Sequence, residues 1–212
     1  MTFDREFLLQ SPLEVAPYLL GSVLLTDSPE GRVSLRITEV EAYLGEKDPG
    51  SHAFRGKTKR NAVMFGEPGH LYTYFTYGMH TCANVVCAPE GVASGLLLRA
   101  GEVVDGVELA RLRRHTSRVD ADLARGPARL AVALGITLDD GGADLQSSRV
   151  RLQLSSTPTE HRTGPRTGLS GPGGSDDFPW RFWIPDEPSV SPYKRHAPKR
   201  RPQTSSGQVS AG

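Results

Sequence analysis

Residues Val33 to Leu44, VSLRITEVEAYL, read as one long β-strand. The odd positions are Val33, Leu35, Ile37, Glu39, Glu41 and Tyr43. Successive side chains of a strand point to opposite faces, so these six share one face. That face begins aliphatic and ends in two carboxylates and a phenol. A core face would stay apolar and an exposed face would stay polar. The pattern predicts a strand that runs from the core into a pocket.

The rest of the chain supplies a sheet for that strand. Leu71 to Thr76, a turn at Tyr77-Gly78-Met79, and Thr81 to Val86 read as a hairpin. Gly95 to Ala100 reads as a further strand that ends near a charge, Arg99. Ser11-Pro12-Leu13-Glu14 has the form of a capping box with proline at the first helical position, and Gly21 stops that helix. Pro17, inside it, removes one backbone donor. Helices are also predicted over Asp105 to Arg114 and Pro127 to Leu134, the latter stopped by Gly135. The Gly/Pro-rich stretch 164–175 is too long for a simple connection, which marks it as functional or mobile. Pro179 to Pro185, PWRFWIP, reads as a last strand.

Composition narrows the class. A chain of 212 residues suits one domain, here residues 1–196, with 197–212 as a polar, basic, disordered tail. No apolar run approaches membrane-spanning length, and the N-terminus lacks the order of a secretory signal. A cytoplasmic (nucleoid-associated) or nuclear protein is the expectation. Cys82 and Cys87 have neither zinc-ribbon nor redox spacing and read as reduced, buried thiols. The histidines at 52, 70 and 80 lack ligand spacing, so no metal is expected. Net charge is only +1, but Lys57, Lys59 and Arg60 cluster, as do arginines at 111–114 and basic residues at 194–201. Charge separated in this way is compatible with a basic face on a neutral body.

The candidate chemistry lies at the strand ends. Glu41, Arg99 and His52 form a set able to hold and activate a water. Tyr43 and Tyr74 offer two π-surfaces for a flat heterocycle, and Tyr77 at a hairpin tip is placed to act as a wedge between bases. A structural Glu–Arg pair at a sheet edge is the more common outcome for such charges, and a tyrosine-rich packing hairpin accounts for the aromatics equally well at this point.

Longer blocks go further. EVEAYLGEKDPGSHAFRGKTKRNAVMFGEPGHLYTYFTYGMHTCANVV, then LLLRAGEV, LARGPARLAVALGI, GPRTGLS and DFPWRFWI, occur in that order over residues 5–193. With these blocks the chain resembles the methylpurine-DNA glycosylases. The resemblance implies an α+β domain with a curved, mostly antiparallel sheet, a protruding hairpin and surrounding helices. It implies Glu41 as general base and Arg99 as its partner in holding water. It implies Tyr43, His52, Tyr74 and Asn84 around the flipped base, Asn84 discriminating against the amine of normal guanine. Tyr77 would enter the minor groove, and Lys57, Lys59, Arg60 and the helix start near Pro127 would meet phosphates. His80 is a departure, since some relatives carry tyrosine there.

The implied reaction is hydrolysis without metal, cofactor or strand cleavage, by a monomer acting on double-stranded DNA. Alkylated purines such as 3-methyladenine and 7-methylguanine carry positive charge and leave readily, so one carboxylate suffices where sugar hydrolases use two. Hypoxanthine, being neutral, would need a proton at N7. Two rival readings use the same residues: a catalytically silent nucleic-acid-binding module, and a hydrolase of free nucleosides.

Overall fold

The structure, a computed structural model, describes residues 3–76 and 78–197. Helix α1 spans Pro12–Leu19, α2 Val107–Arg113 and α3 Pro127–Leu134. Strands are β1 (Val23–Ser28), β2 (Gly31–Tyr43), β3 (Leu71–Thr76), β4 (His80–Val85), β5 (Gly95–Asp105), β6 (Ala124–Arg125), β7 (Val150–Gln153), β8 (Arg162–Gly164) and β9 (Arg181–Trp183). They form one sheet, ordered β3-β4-β5-β2-β1-β7, with β6 beside β5 and β9, followed by β8, beside β2. Every pair of strands in it is antiparallel. The fold is α+β, as the sequence led one to expect.

The predicted elements fall where the local chemistry puts them. Ser11 Oγ accepts the Leu13 N–H while Glu14 accepts the Ser11 N–H, so the first helix is capped from both sides. Pro17 lies inside α1, and the ladder resumes beyond it with Leu20 N–H donating to Ala16 O. The PWRFWIP segment pairs over only three residues, Arg181–Trp183, because β2 offers it only Glu39 to Glu41. The basic tail from 198 onward lies outside the described residues.

β2 organises the sheet. β5 runs along one edge, while β1 and then β9 divide the other. Register then fixes which side chains meet. Glu41 pairs with Leu97, Leu97 with Asn84, and Asn84 with Tyr72, a row crossing four strands on one face. The next row is Ala42, Leu96, Val85 and Leu71, all fully buried in the core. A one-residue slip would exchange the two rows, so core burial itself holds the register.

The single changing face predicted for β2 is modified at Glu39. The pairing is irregular on both sides of this residue, and the core positions change parity, from Val33, Leu35 and Ile37 to Val40 and Ala42. From Ile37 through Ala42 every residue is buried, so both faces are covered there. Gly101, opposite Ile37, permits the close approach. A Cβ there would lie 2.3 Å from Leu35 Cδ2 and 2.6 Å from the Arg36 carbonyl oxygen. Backbone cannot yield as a flexible side chain would. Gly101→Ala is expected to cost about 1–3 kcal/mol, read as a lowered urea midpoint; an unchanged midpoint would mean the two strands approach less closely than described.

Candidate active site

One cavity of about 240 Å³ opens on the face that carries Glu41, Asn84 and Tyr72. Glu41, Arg99, Tyr43, His52, Tyr74 and Asn84, the six catalytic and pocket candidates, all line it. They come from β2, β3, β4 and β5 and from the loop after β2. Tyr77 lies outside the described residues. Lys57, Lys59 and Arg60 do not line the cavity but lie exposed on the surface. Arg60 donates to the Phe75 carbonyl at 3.1 Å, next to the hairpin, and the Lys57 ammonium sits 5.8 Å from the Phe65 ring centre. Pro127, at the start of α3, also borders the cavity.

Glu41 is 1% exposed, and its two oxygens are treated unequally. Oε1 accepts the Thr167 N–H at 2.7 Å and faces Arg99 Nη1 at 3.2 Å. Oε2 accepts the Tyr43 hydroxyl at 2.9 Å. Oε1 thus carries one hydrogen bond and the guanidinium contact, while Oε2 carries one hydrogen bond and keeps a lone pair toward the cavity side of the group. Glu39 does not join the cavity. Fully buried, it meets Arg99 Nε at 3.1 Å and Arg181 Nε at 2.5 Å.

Thr167 belongs to the Gly/Pro-rich stretch that the sequence marked as functional or mobile. A fully buried ion pair anchors that stretch, with Arg166 Nη1 2.5 Å from Asp48 Oδ2 and Nη2 2.7 Å from Oδ1. Arg166 also donates to Ala42 O on β2 and to Gly173 O. Its guanidinium lies 4.5 Å from the Tyr43 ring centre and 5.1 Å from that of Trp180. Sequence reasoning gave no site role to Asp48, Arg166, Thr167 or Arg181, nor to Cys82, Met64 and Tyr72 of the cavity wall, and it aimed Glu39 at the pocket that the residue does not line. The sole hint was an arginine inside a Gly/Pro-rich stretch; nothing linked it to an aspartate 118 residues away.

The aromatic wall is polar but uncharged near neutral pH. Burial raises Tyr43 well above the ordinary phenol value, and the nearby Glu41 charge adds to it. Burial likewise raises Tyr74, next to Cys82, and Tyr72. The Cys82 thiol is also raised by burial, with Tyr74 partly offsetting it. His52 is lowered, first by burial of its ring and then by the Arg60 charge. Its Nδ1 shares a 3.3 Å hydrogen bond with the Tyr72 hydroxyl, and its ring packs edge-on to Tyr74 at 4.5 Å. Arg99 holds its proton more firmly than usual, because Glu41 and Glu39 outweigh the opposing effect of its burial.

Comparison with known proteins bears on the chain as a whole. The methylpurine-DNA glycosylase (MPG) family profile matches residues 6–188. A protein of Leifsonia xyli subsp. xyli, named "Putative 3-methyladenine DNA glycosylase", is 64% identical over 197 residues, covering 91% of this chain and 92% of that protein. A protein of the same name from Streptomyces avermitilis is 56% identical over 202 residues, covering 93% and 94%. Another, from Nocardia farcinica, is 50% identical over 199 residues, covering 90% and 91%.

The raised phenols give a pH signature. A phenol whose proton is held more tightly in the folded chain contributes stability that is complete below its ordinary value near 10. That contribution is lost as pH climbs from there toward the folded value. Of the six tyrosines, Tyr43, Tyr72 and Tyr74 should lag in a phenolate absorbance titration until the chain unfolds. Tyr43→Phe should flatten the stability loss above pH 10; ionisation of all six together in folded protein would contradict this.

Proposed function

Because this chain belongs to the methylpurine-DNA glycosylase family, we propose that it flips alkylated or deaminated purines out of duplex DNA and excises them with a water activated by Glu41. Its substrates are purines of the 3-methyladenine, 7-methylguanine and hypoxanthine class. The observation that carries the reading is the unequal bonding of Glu41. A buried carboxylate on a cavity wall, with a guanidinium beside one oxygen and a lone pair left on the other, is equipped to take a proton from water.

For a purine alkylated at N3 or N7 the atoms balance without a second acid, whereas hypoxanthine must first take a proton at N7 from solvent. Glu41 Oε2 takes one proton of the water as its oxygen bonds to the anomeric carbon. The N-glycosyl bond breaks and its electron pair goes to the purine ring. A purine alkylated at N3 or N7 departs neutral, so no donor is needed on the leaving side. Before the new bond is complete the sugar is cation-like, and the anionic Glu41 stabilises it. Arg99 Nη1, beside Oε1, helps hold the water. Tyr43 and Tyr74 receive the flat base, and each face attracts a cationic ring by about 0.5–2 kcal/mol. Asn84 donates to the Tyr72 carbonyl at 3.1 Å, which fixes its amide on the wall where it screens exocyclic amines. No lysine is among the described residues of the cavity, which supports hydrolysis without lyase chemistry.

Tyr77 fills the gap left by the flipped base, and Lys57, Lys59 and Arg60 contact phosphates. The enzyme works as a monomer on cytoplasmic, nucleoid or nuclear DNA. No helix among the described residues is long and apolar enough to cross a membrane.

Glu41→Gln keeps the shape and removes the base. It should bind a duplex with one alkylated purine within about tenfold of the unaltered protein, yet release free base about 10²–10⁴-fold more slowly. Undiminished release would overturn the assignment. Tyr77→Ala should lose most activity on duplex DNA, since flipping an intact pair costs a few kcal/mol that the wedge offsets; full activity on the duplex would remove the wedge from the account.

A further inference from the structure

Arginine and carboxylate prefer a two-point pairing. Arg99 and Glu41 are close enough for it and do not adopt it. Only Arg99 Nη1 reaches Glu41, at 3.2 Å from Oε1. Nε is turned away to Glu39 Oε1 at 3.1 Å, and Nη2 to Ser191 Oγ at 3.3 Å. Glu39 is itself fixed. Its Oε1 also takes Arg181 Nε at 2.5 Å, and its Oε2 takes the Ser191 N–H at 2.8 Å. Arg181 cannot swing off, because it donates to the Ser191 carbonyl at 3.0 Å and lies over the rings of Trp183 and Tyr193. Neither Glu39 nor Arg181 lines the cavity; Glu39 reaches it only through Arg99.

We infer that Glu39, clamped by Arg181, is a positioning residue: it confines Arg99 to a one-point contact with Glu41 and so leaves Glu41 Oε2 free for the attacking water. Without Glu39, Arg99 turns to take both oxygens of Glu41, and the base loses the lone pair it needs. The inference rests on the reading of Glu41 as general base. The group of four is charge-balanced, two carboxylates and two guanidiniums, so removal of Glu39 alone also leaves a buried cation uncompensated. Removing Glu39 and Arg181 together keeps the balance and abolishes only the clamp.

The test compares the unaltered protein with Glu39→Asp, Glu39→Gln and the double variant Glu39→Gln/Arg181→Gln. Each is mixed in excess with a duplex holding one 7-methylguanine, and both the single-turnover rate of base release and the Kd for the duplex are measured. Misplacement of a catalytic group costs about 10²-fold. Glu39→Gln and the double variant should therefore slow release by roughly 10- to 100-fold, with Kd within about threefold. Glu39→Asp, which keeps the charge, should recover most of the rate. Release at the normal rate from the double variant would overturn the positioning role, and so would a loss that appears wholly in Kd. Absence of release from the unaltered protein would instead overturn the glycosylase reading itself.

Discussion

Three buried carboxylates govern this structure. Glu39, Glu41 and Asp48 are each at most 1% exposed. An isolated charge in such a place costs several kcal/mol, so none of the three survives folding without a cation. Each is met by an arginine from a different part of the chain: Arg99 from β5, Arg181 from β9 and Arg166 from the Gly/Pro-rich stretch. Such pairs roughly offset their own desolvation and contribute little net stability. What stabilises the fold is the apolar row on the opposite face of the sheet, Ala42, Leu96, Val85 and Leu71, with the helices packed beside it. What the ion pairs supply is position. Breaking any one strands a charge, so the three segments are obliged to meet in one arrangement.

That obligation explains why 164–175 is a wall of the cavity. Glycines let it approach the loop after β2. A Cβ on Gly173 would lie 2.5 Å from Gly50 N, and a Cβ on Gly50 would lie 2.6 Å from Arg166 Nη2. The ion pair can therefore close without a side chain in the way. Once closed, it places the Thr167 N–H against Glu41 and a guanidinium behind Tyr43. A stretch rich in glycine and proline is here anchored at the point that matters, by a contact between residues 118 positions apart.

Much of this was legible in the chain. Alternation located β2, β3 and β4 to within a few residues. Capping chemistry located α1, and Gly135 located the end of α3. Glu41 and Tyr43 were visible as polar residues closing an otherwise aliphatic strand, and Arg99 as a charge on another, which runs on past the predicted Ala100 to Asp105. Glu39 shows the limit of alternation. It shares its parity with Glu41, yet the irregular pairing around it and the second edge taken by β9 send it into a separate buried cluster. Parity cannot report a break in register. Nor can any local pattern report that Asp48 and Arg166 meet, because each looks like an ordinary loop residue until the fold brings the other to it.

The charge arrangement bears on what the proposed reaction prefers. Among the described lining residues Arg99 is the only arginine or lysine, and its charge is already shared between two carboxylates. His52 is held toward its neutral form, and the phenols stay protonated. Arg166 stacks on Tyr43 from outside the cavity lining, but Asp48 neutralises it, so Tyr43 keeps an electron-rich ring for an incoming base. A cationic purine meets nothing in this cavity that repels it and two aromatic surfaces that attract it. A neutral purine gains less on entry. It also lacks the built-in charge that lets its glycosidic bond break, and in the proposed reaction Glu41, the only carboxylate among the described lining residues, serves as base. Binding and leaving-group ability thus favour the same lesions for the same electrostatic reason, and selectivity requires no acid that the cavity does not have.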